Sequence, residues 1–306
     1  MKIAVMGTGA MGGYVGARLS EAGAEVTFIA RGPHLAAMRQ DGLKVTSPEG
    51  DIHINPVSAT DDPDGVGPMD LILLGVKLFD VEKAVNDLRP MLGPDTGVIS
   101  LQNGIDTPGV ISRIAGPQHN VPGIAMINGE IAASGLIQHN AMNELIVGEP
   151  GGRVSPRMTA LEELGSKSAL NLTISTDIQA QLWRKVLGLT PTAGLSCLTR
   201  LPLGRIRETP ESWDLLQEAM VEVVAVAQAE GIGLGKVDIQ NVSASVREFM
   251  PPTWRGSLVT DLEAGRRLEV EWLHGAIYRL GKKHSIDTPF HRVVLGALMP
   301  YASGAA

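Results

Sequence analysis

Apolar residues fall along this chain in two different rhythms. In the first half, short apolar runs recur at residues 3–6, 25–30, 71–76, 97–101, 123–127 and 145–147. Several are continuous rather than alternating, as strands are when helices cover both faces of a parallel sheet. Between them, residues 11–22, 34–41, 79–91 and 107–115 carry apolar positions at helical spacing. This strand–helix–strand order predicts a doubly wound parallel α/β sheet. Residues 42–56 read as a hairpin or meander inserted after the second strand. From about residue 176 the spacing is helical nearly to the end. The clearest helix opens at Thr209-Pro210, a capping residue followed by proline at the first helical position. Its expected apolar face comprises Leu215, Leu216, Ala219, Met220, Val223, Val224 and Ala227, and Gly231 ends it. Further helices are expected over 179–189, 237–249, 257–262, 268–284 and 290–300. The second half is therefore expected to be an all-α domain, with a boundary between residues 165 and 178, drawn as 1–170 and 171–306.

Length and composition agree with two globular domains: 306 residues, 44% hydrophobic and 19% charged. The single cysteine, Cys197, cannot form an internal disulfide and, among Leu195, Ser196 and Leu198, reads as a small core residue. A formal net charge of −7 and the lack of any long basic run argue against nucleic-acid binding through phosphates. The first residues, Lys2-Ile3-Ala4-Val5-Met6, enter a strand at once, so no signal peptide is expected. No uncharged apolar run approaches the roughly 18 residues that span a bilayer. A cytoplasmic chain with no membrane partner is expected.

The chemistry starts at Gly7-Thr8-Gly9-Ala10-Met11-Gly12, a G-x-G-x-x-G pattern between a strand and a helix. In that context Gly7 permits the tight turn, Gly9 lets backbone approach a pyrophosphate, and Gly12 allows helix to pack close on strand. The helix N-terminus adds free amides and a dipole suited to phosphate. The first domain is thus expected to be a Rossmann-type dinucleotide-binding sheet. At the end of the second strand, where NAD-binding versions place an acid for the ribose 2′-hydroxyl, this chain has Ala30-Arg31-Gly32. A guanidinium at Arg31 suits a 2′-phosphate in charge and in forked geometry, so NADP is the expected cofactor. Val76-Lys77 and Gln102-Asn103-Gly104 follow two further strands. There Lys77 can meet a cofactor phosphate, ribose or amide, and Asn103 can hold the nicotinamide or a substrate.

The ordered set of these motifs resembles the ketopantoate reductase (2-dehydropantoate 2-reductase) family over nearly the whole chain. Leu182-Trp183-Arg184-Lys185 extends the resemblance, as does Ser257 through Asp261 with Gly265-Arg266 and Glu269. The resemblance implies hydride transfer from NADPH to a ketone, with Lys185 as general acid. It places Glu269 beside the substrate hydroxyl, where it influences the lysine, and Ser257 beside the substrate carboxylate. The charge argument concurs, since an ammonium stabilises and protonates a developing alkoxide. Three positions depart from the family pattern. Leu189, Ala193 and Trp254 stand where asparagines usually contact substrate.

None of the seven histidines (His34, His53, His119, His139, His274, His284 and His291) sits in a persuasive acid–base motif, and no metal-ligand spacing or G-x-S-x-G elbow is present. Three readings therefore stand: a reductase of ketopantoate type, the same lysine-assisted chemistry on a more apolar alcohol or ketone, and a non-catalytic NADP-binding sensor. In each, the partner is a small molecule, and a homodimer is expected.

Overall fold

Alternate residues of the first strands go to opposite cores, and this fixes the layered architecture. The computed structural model describes residues 1–304. Their contacts divide them into two units, Met1–Asn103 with Thr107–Ile178, and Gly104–Asp106 with the chain from Gln179 onward.

The first unit contains β1 (Lys2–Met6), α1 (Ala10–Glu21), β2 (Glu25–Ile29), α2 (Gly32–Asp41), β3 (Leu43–Thr46), β4 (Ile52–Ile54), β5 (Ser58–Thr60) and β6 (Met69–Leu74). It continues with α3 (Val81–Asp87), β7 (Leu92–Ser100), α4 (Thr107–Ile114), β8 (Asn120–Ala133), β9 (Leu136–Val147), α5 (Pro156–Gly165) and β10 (Asn171–Ile174). Strands β5-β2-β1-β6-β7-β8 lie side by side and pair in parallel. Ile3, Val5, Leu71 and Leu73 pack into one core with Tyr14, Val15 and Leu19 of α1 and Met38 of α2. Their neighbours Ala4, Met6, Ile72 and Leu74 pack into the other with Val81 and Val85 of α3 and Ile111 of α4. Both faces are covered, which is why these strands read as unbroken apolar runs.

The runs at 123–127 and 145–147 are not separate parallel strands. They are the two ends of a long antiparallel hairpin, β8–β9, paired from Gly123↔Val147 to Ala133↔Leu136. Beyond residue 127 much of the hairpin is exposed. Its polar outer part therefore hides the strand signal, and Gly135 at φ 79 turns the chain. The expected hairpin at 42–56 forms as β3–β4, and β3 runs parallel to β9 at the far side of the sheet from β2. The helix expected over 79–91 is a 3-10 turn, a short α3 and a second 3-10 turn, Arg89–Met91, which contains Pro90. The division falls after Ile178 rather than after residue 170, because β10 pairs with β9 and so stays with the sheet.

The second unit holds α6 (Ile178–Thr199, assigned to it from Gln179), α7 (Leu203–Glu208), α8 (Pro210–Ala229), α9 (Lys236–Glu248), α10 (Ser257–Glu263), α11 (Val270–Lys283) and α12 (Pro289–Leu298). No strand occurs among its described residues. Helix α6 runs ten residues past the expected end at Leu189, straight through Pro191. Proline removes one backbone bond there, while the hydroxyls of Thr190 and Thr192 donate to the carbonyls of Val186 and Gly188 at 3.1 and 2.7 Å. Helix α8 begins at Pro210 as expected, but Thr209 does not cap it through its side chain: its hydroxyl donates back to the Arg205 carbonyl at 2.9 Å. Gly231, at φ 80, follows the helix end.

His291 and His274 are fully buried in this core. His291 Nδ1 lies 2.7 Å from Glu222, whose carboxylate also accepts from the amides of Phe290 and His291 and so ties α12 to α8. Burial holds His274 well below the ordinary histidine range. Cys197 is buried too, and its burial pushes the thiol up to about 12, far from a reactive thiolate. No described helix is long and apolar enough to cross a membrane.

Candidate active site

In the first unit the site is built from the ends of β1, β2, β6 and β7. After β1 the chain turns at Gly7, whose φ of 98 favours glycine; a Cβ there would also meet Val76 Cγ1 at 2.7 Å. The Thr8 amide and hydroxyl both donate to the Ile29 carbonyl, at 3.1 and 3.0 Å, locking the loop to the end of β2. A Cβ on Gly12 would strike the Gly7 carbonyl and approach Val5, so α1 packs on β1 only with glycine here. A Cβ on Gly9, by contrast, would meet nothing within 4 Å. The first intrahelical bond of α1 runs from the Gly13 amide to the Gly9 carbonyl. The amides of Gly9, Ala10, Met11 and Gly12 precede it and have no intrahelical acceptor. No acidic side chain occupies the first turn of α1. Open space before Gly9, donor amides and an uncompensated helix dipole fit the diphosphate of a dinucleotide.

Arg31 follows β2 after Ala30 and is 66% exposed in its side chain. Its guanidinium makes one long contact with Asp87 at 3.5 Å, while Lys83 holds the same carboxylate at 2.5 Å. An arginine held so loosely can turn to a 2′-phosphate at little cost. Asp87, half-buried at the end of α3, gives no sign of this partnership in the sequence.

Lys77 is exposed, at the start of the 3-10 turn after β6. Asn103 is half-buried and is the last residue of the first unit before Gly104–Asp106. Gln102, to which sequence reasoning attaches no role, is buried, and its amide nitrogen donates to the carbonyls of Leu74 and Val76 at 2.8 and 2.9 Å. It thereby ties the end of β7 to the loop that carries Lys77.

In the second unit Lys185, Leu189 and Ala193 are spaced by four on α6 and share one face. Trp183 beside them is buried, and Arg184 is anchored to Asp238 at 2.7 Å. Asp238 in turn accepts from the Gly235 amide at the start of α9. Lys185 is recessed enough that burial lowers its ammonium to about 8. At Gly256 a Cβ would stand 3.2 Å from Trp254 Cη2 and 3.4 Å from Ala193 Cβ. Two of the three residues replacing the family's asparagines therefore converge on one spot, and Ser257 follows it as the exposed first residue of α10. Glu269 is buried at the N-terminal boundary of α11. Its carbonyl accepts from the amides of Trp272 and Leu273. The segment Gly104–Asp106 packs here: a Cβ on Gly104 would lie 3.3 Å from the Trp272 carbonyl, and Asp106 pairs with Arg279 at 2.6 Å.

A dinucleotide-type sheet with a glycine loop, joined in one chain to a helical unit bearing a lysine of lowered pKa, defines an NAD(P)-linked oxidoreductase class. Residues 3–152 match the family described as ketopantoate reductase PanE/ApbA, and residues 177–302 match its C-terminal region. The chain belongs to the ketopantoate reductase family. It is 30% identical to the 2-dehydropantoate 2-reductase of Mesorhizobium japonicum, over 96% of each chain. A crystal structure of a PanE/ApbA family ketopantoate reductase from Ralstonia eutropha JMP134 is 30% identical, with a TM-score of 0.89 over 99% of this chain and 98% of that one. A D-mandelate dehydrogenase solved with NADH and anilino(oxo)acetate is 24% identical and shares the fold, with a TM-score of 0.88 over 99% and 98% of the two chains.

Proposed function

We propose that this protein reduces a 2-keto acid to the 2-hydroxy acid with NADPH, in the manner of ketopantoate to D-pantoate, with Lys185 as the proton donor. The observation that carries this reading is the Lys185 ammonium, lowered by burial to about 8 and so poised near neutral pH to give up its proton. Bound nicotinamide supplies hydride to the carbonyl carbon. Lys185 protonates the oxygen as it becomes an alkoxide, and its positive charge also draws the substrate carboxylate. Such general-acid assistance is worth about 10²–10⁴ in rate. The Ser257 hydroxyl donates to the substrate carboxylate, and Glu269 accepts from a substrate hydroxyl and steadies the lysine. The amides after Gly9 and the Lys77 ammonium hold the cofactor, Arg31 selects its 2′-phosphate, and Asn103 serves the nicotinamide and substrate end.

One specific observation favours a second reading of the substrate. Ala193 and Trp254 converge beside Ser257, and Leu189 lies one turn from Ala193 on α6. All three are apolar where the family resemblance expects amides. A substrate hydroxyl buried against them would lose about 1–3 kcal/mol per missing partner. A larger or more apolar 2-keto acid then becomes the better substrate. NADPH absorbance followed with ketopantoate and a panel of aliphatic and aromatic 2-keto acids decides. Turnover of ketopantoate at the highest kcat/KM supports the first reading, and preference for bulky apolar acids supports the second. Tight NADPH binding with no turnover of any member would overturn both and leave a sensor.

A further inference from the structure

Gln102 is 8% exposed and sits where β7 ends. Its side-chain orientation is fixed by its neighbours. Two carbonyl oxygens, those of Leu74 and Val76, lie 2.8 and 2.9 Å from one end of the amide, and that end must be the NH₂ group. The oxygen is therefore turned away from both carbonyls. Gln102 Oε1 is buried and has no hydrogen-bond partner. A buried acceptor left unpaired is costly, and each such atom calls for an explanation.

The strand order says which half of a bound dinucleotide this side of the sheet would meet. The sheet reverses direction of winding at β1, with β2 on one side and β6 and β7 on the other. A dinucleotide binds across such a switch point. On the NADPH reading, on which this inference rests, Arg31 at the end of β2 marks the adenosine half. The nicotinamide half then falls to the β6 and β7 ends, which carry Lys77 and Gln102-Asn103. The nicotinamide carboxamide brings two N–H donors, and these need acceptors. Lys77 is donor-only and cannot serve. We infer that Gln102 Oε1 accepts a hydrogen bond from the carboxamide NH₂ of the bound cofactor, making Gln102 a cofactor-binding residue that fixes the orientation of the nicotinamide ring. The same amide, through its nitrogen, holds the loop after β6 in place, so loop and ring are set by one side chain.

The test uses the intact protein and fluorescence titration with three ligands: NADPH, its reduced 3-acetylpyridine analogue, which replaces NH₂ by CH₃, and 2′,5′-ADP, which lacks the nicotinamide half. Wild type is expected to bind NADPH about tenfold more tightly than the analogue, the worth of one such bond. In Gln102→Met that preference disappears while 2′,5′-ADP binds as before. Gln102→Ala, which also removes the oxygen, is expected to lose the preference in the same way and serves if the methionine variant does not fold. A preference that survives in Gln102→Met, or is absent from wild type, overturns the assignment. An equal loss for 2′,5′-ADP does so too, since the residue would then act only through the glycine loop. A wild type that binds 2′,5′-ADP but not NADPH removes this assignment while sparing the 2′-phosphate site. Binding of neither removes the cofactor reading and this inference with it.

Discussion

The two units of this chain build their sites from different materials. In the first, the proposed phosphate site is mostly backbone: amides at the start of α1, a turn at Gly7, and a close helix–strand approach at Gly12. In the second, the proposed site residues Lys185, Ser257 and Glu269 are side chains from three separate helical segments, and Leu189, Ala193 and Trp254 beside them are side chains too. Backbone sites tolerate few sequences, because a Cβ in the wrong place collides with main chain. Side-chain sites tolerate many. On the proposed reading, the cofactor half is therefore held to a stricter pattern than the substrate half, since one fold can carry many substrate sites.

The comparison predicts that single changes in the second unit alter chemistry or specificity, whereas those in the first alter cofactor choice or stability. The largest effect belongs to Lys185→Ala. Its kcat should fall by about 10²–10⁴ with NADPH affinity unchanged, as steady-state kinetics and cofactor titration would show. A variant that keeps most of its turnover means the proton comes from elsewhere. In the first unit, Arg157 grips the buried Glu149 through two bonds of 2.8 Å. Arg157→Ala removes the ion pair and leaves that carboxylate only the Ser155 hydroxyl, at 2.6 Å, which should cost about 3 kcal/mol in urea unfolding; a loss below about 1 kcal/mol would show that solvent reaches it.

Arg31→Ala should raise the KM for NADPH roughly tenfold to a hundredfold and leave that for NADH nearly unchanged, in line with about 1.5–3 kcal/mol for a charged hydrogen bond. Equal effects on both cofactors would remove the 2′-phosphate role. The smallest change expected is in Leu189→Asn. It should shift the kcat/KM ratio between ketopantoate and an apolar 2-keto acid by about tenfold toward ketopantoate. No shift would mean that Leu189 does not face substrate.

How far the fold was legible follows the same division. Strands β1, β2 and β6 are buried on both faces and stand out as apolar runs, and α8 stands out by its stripe and its opening proline. The β8–β9 hairpin was hidden because much of its outer half is exposed and polar, and β5 and β10 are too short to mark themselves. Helix α6 is expected to stop at Leu189 because proline usually ends a helix, but it continues through Pro191, flanked by two threonine hydroxyls that bond to backbone carbonyls. Among the site residues, Gly7, Gly12 and Arg31 could be read from position after a strand. Gln102 could not, because its importance lies in which carbonyls its amide meets, and Leu74 and Val76 are more than 25 residues away in the chain. The convergence of Ala193 and Trp254 on Gly256 is likewise tertiary, since α6 and the segment before α10 are distant in sequence.

Lys185 as the acid is tested by the pH profile of kcat/KM for keto acid reduction, because that quantity reports the free enzyme. Burial disfavours the charged lysine, so its proton is lost as pH rises through about 8. The predicted profile is level below that point and falls about tenfold per pH unit above it, and the break vanishes in Lys185→Ala. A wild-type profile with no break near 8, or a break that persists unchanged in the variant, would contradict the assignment.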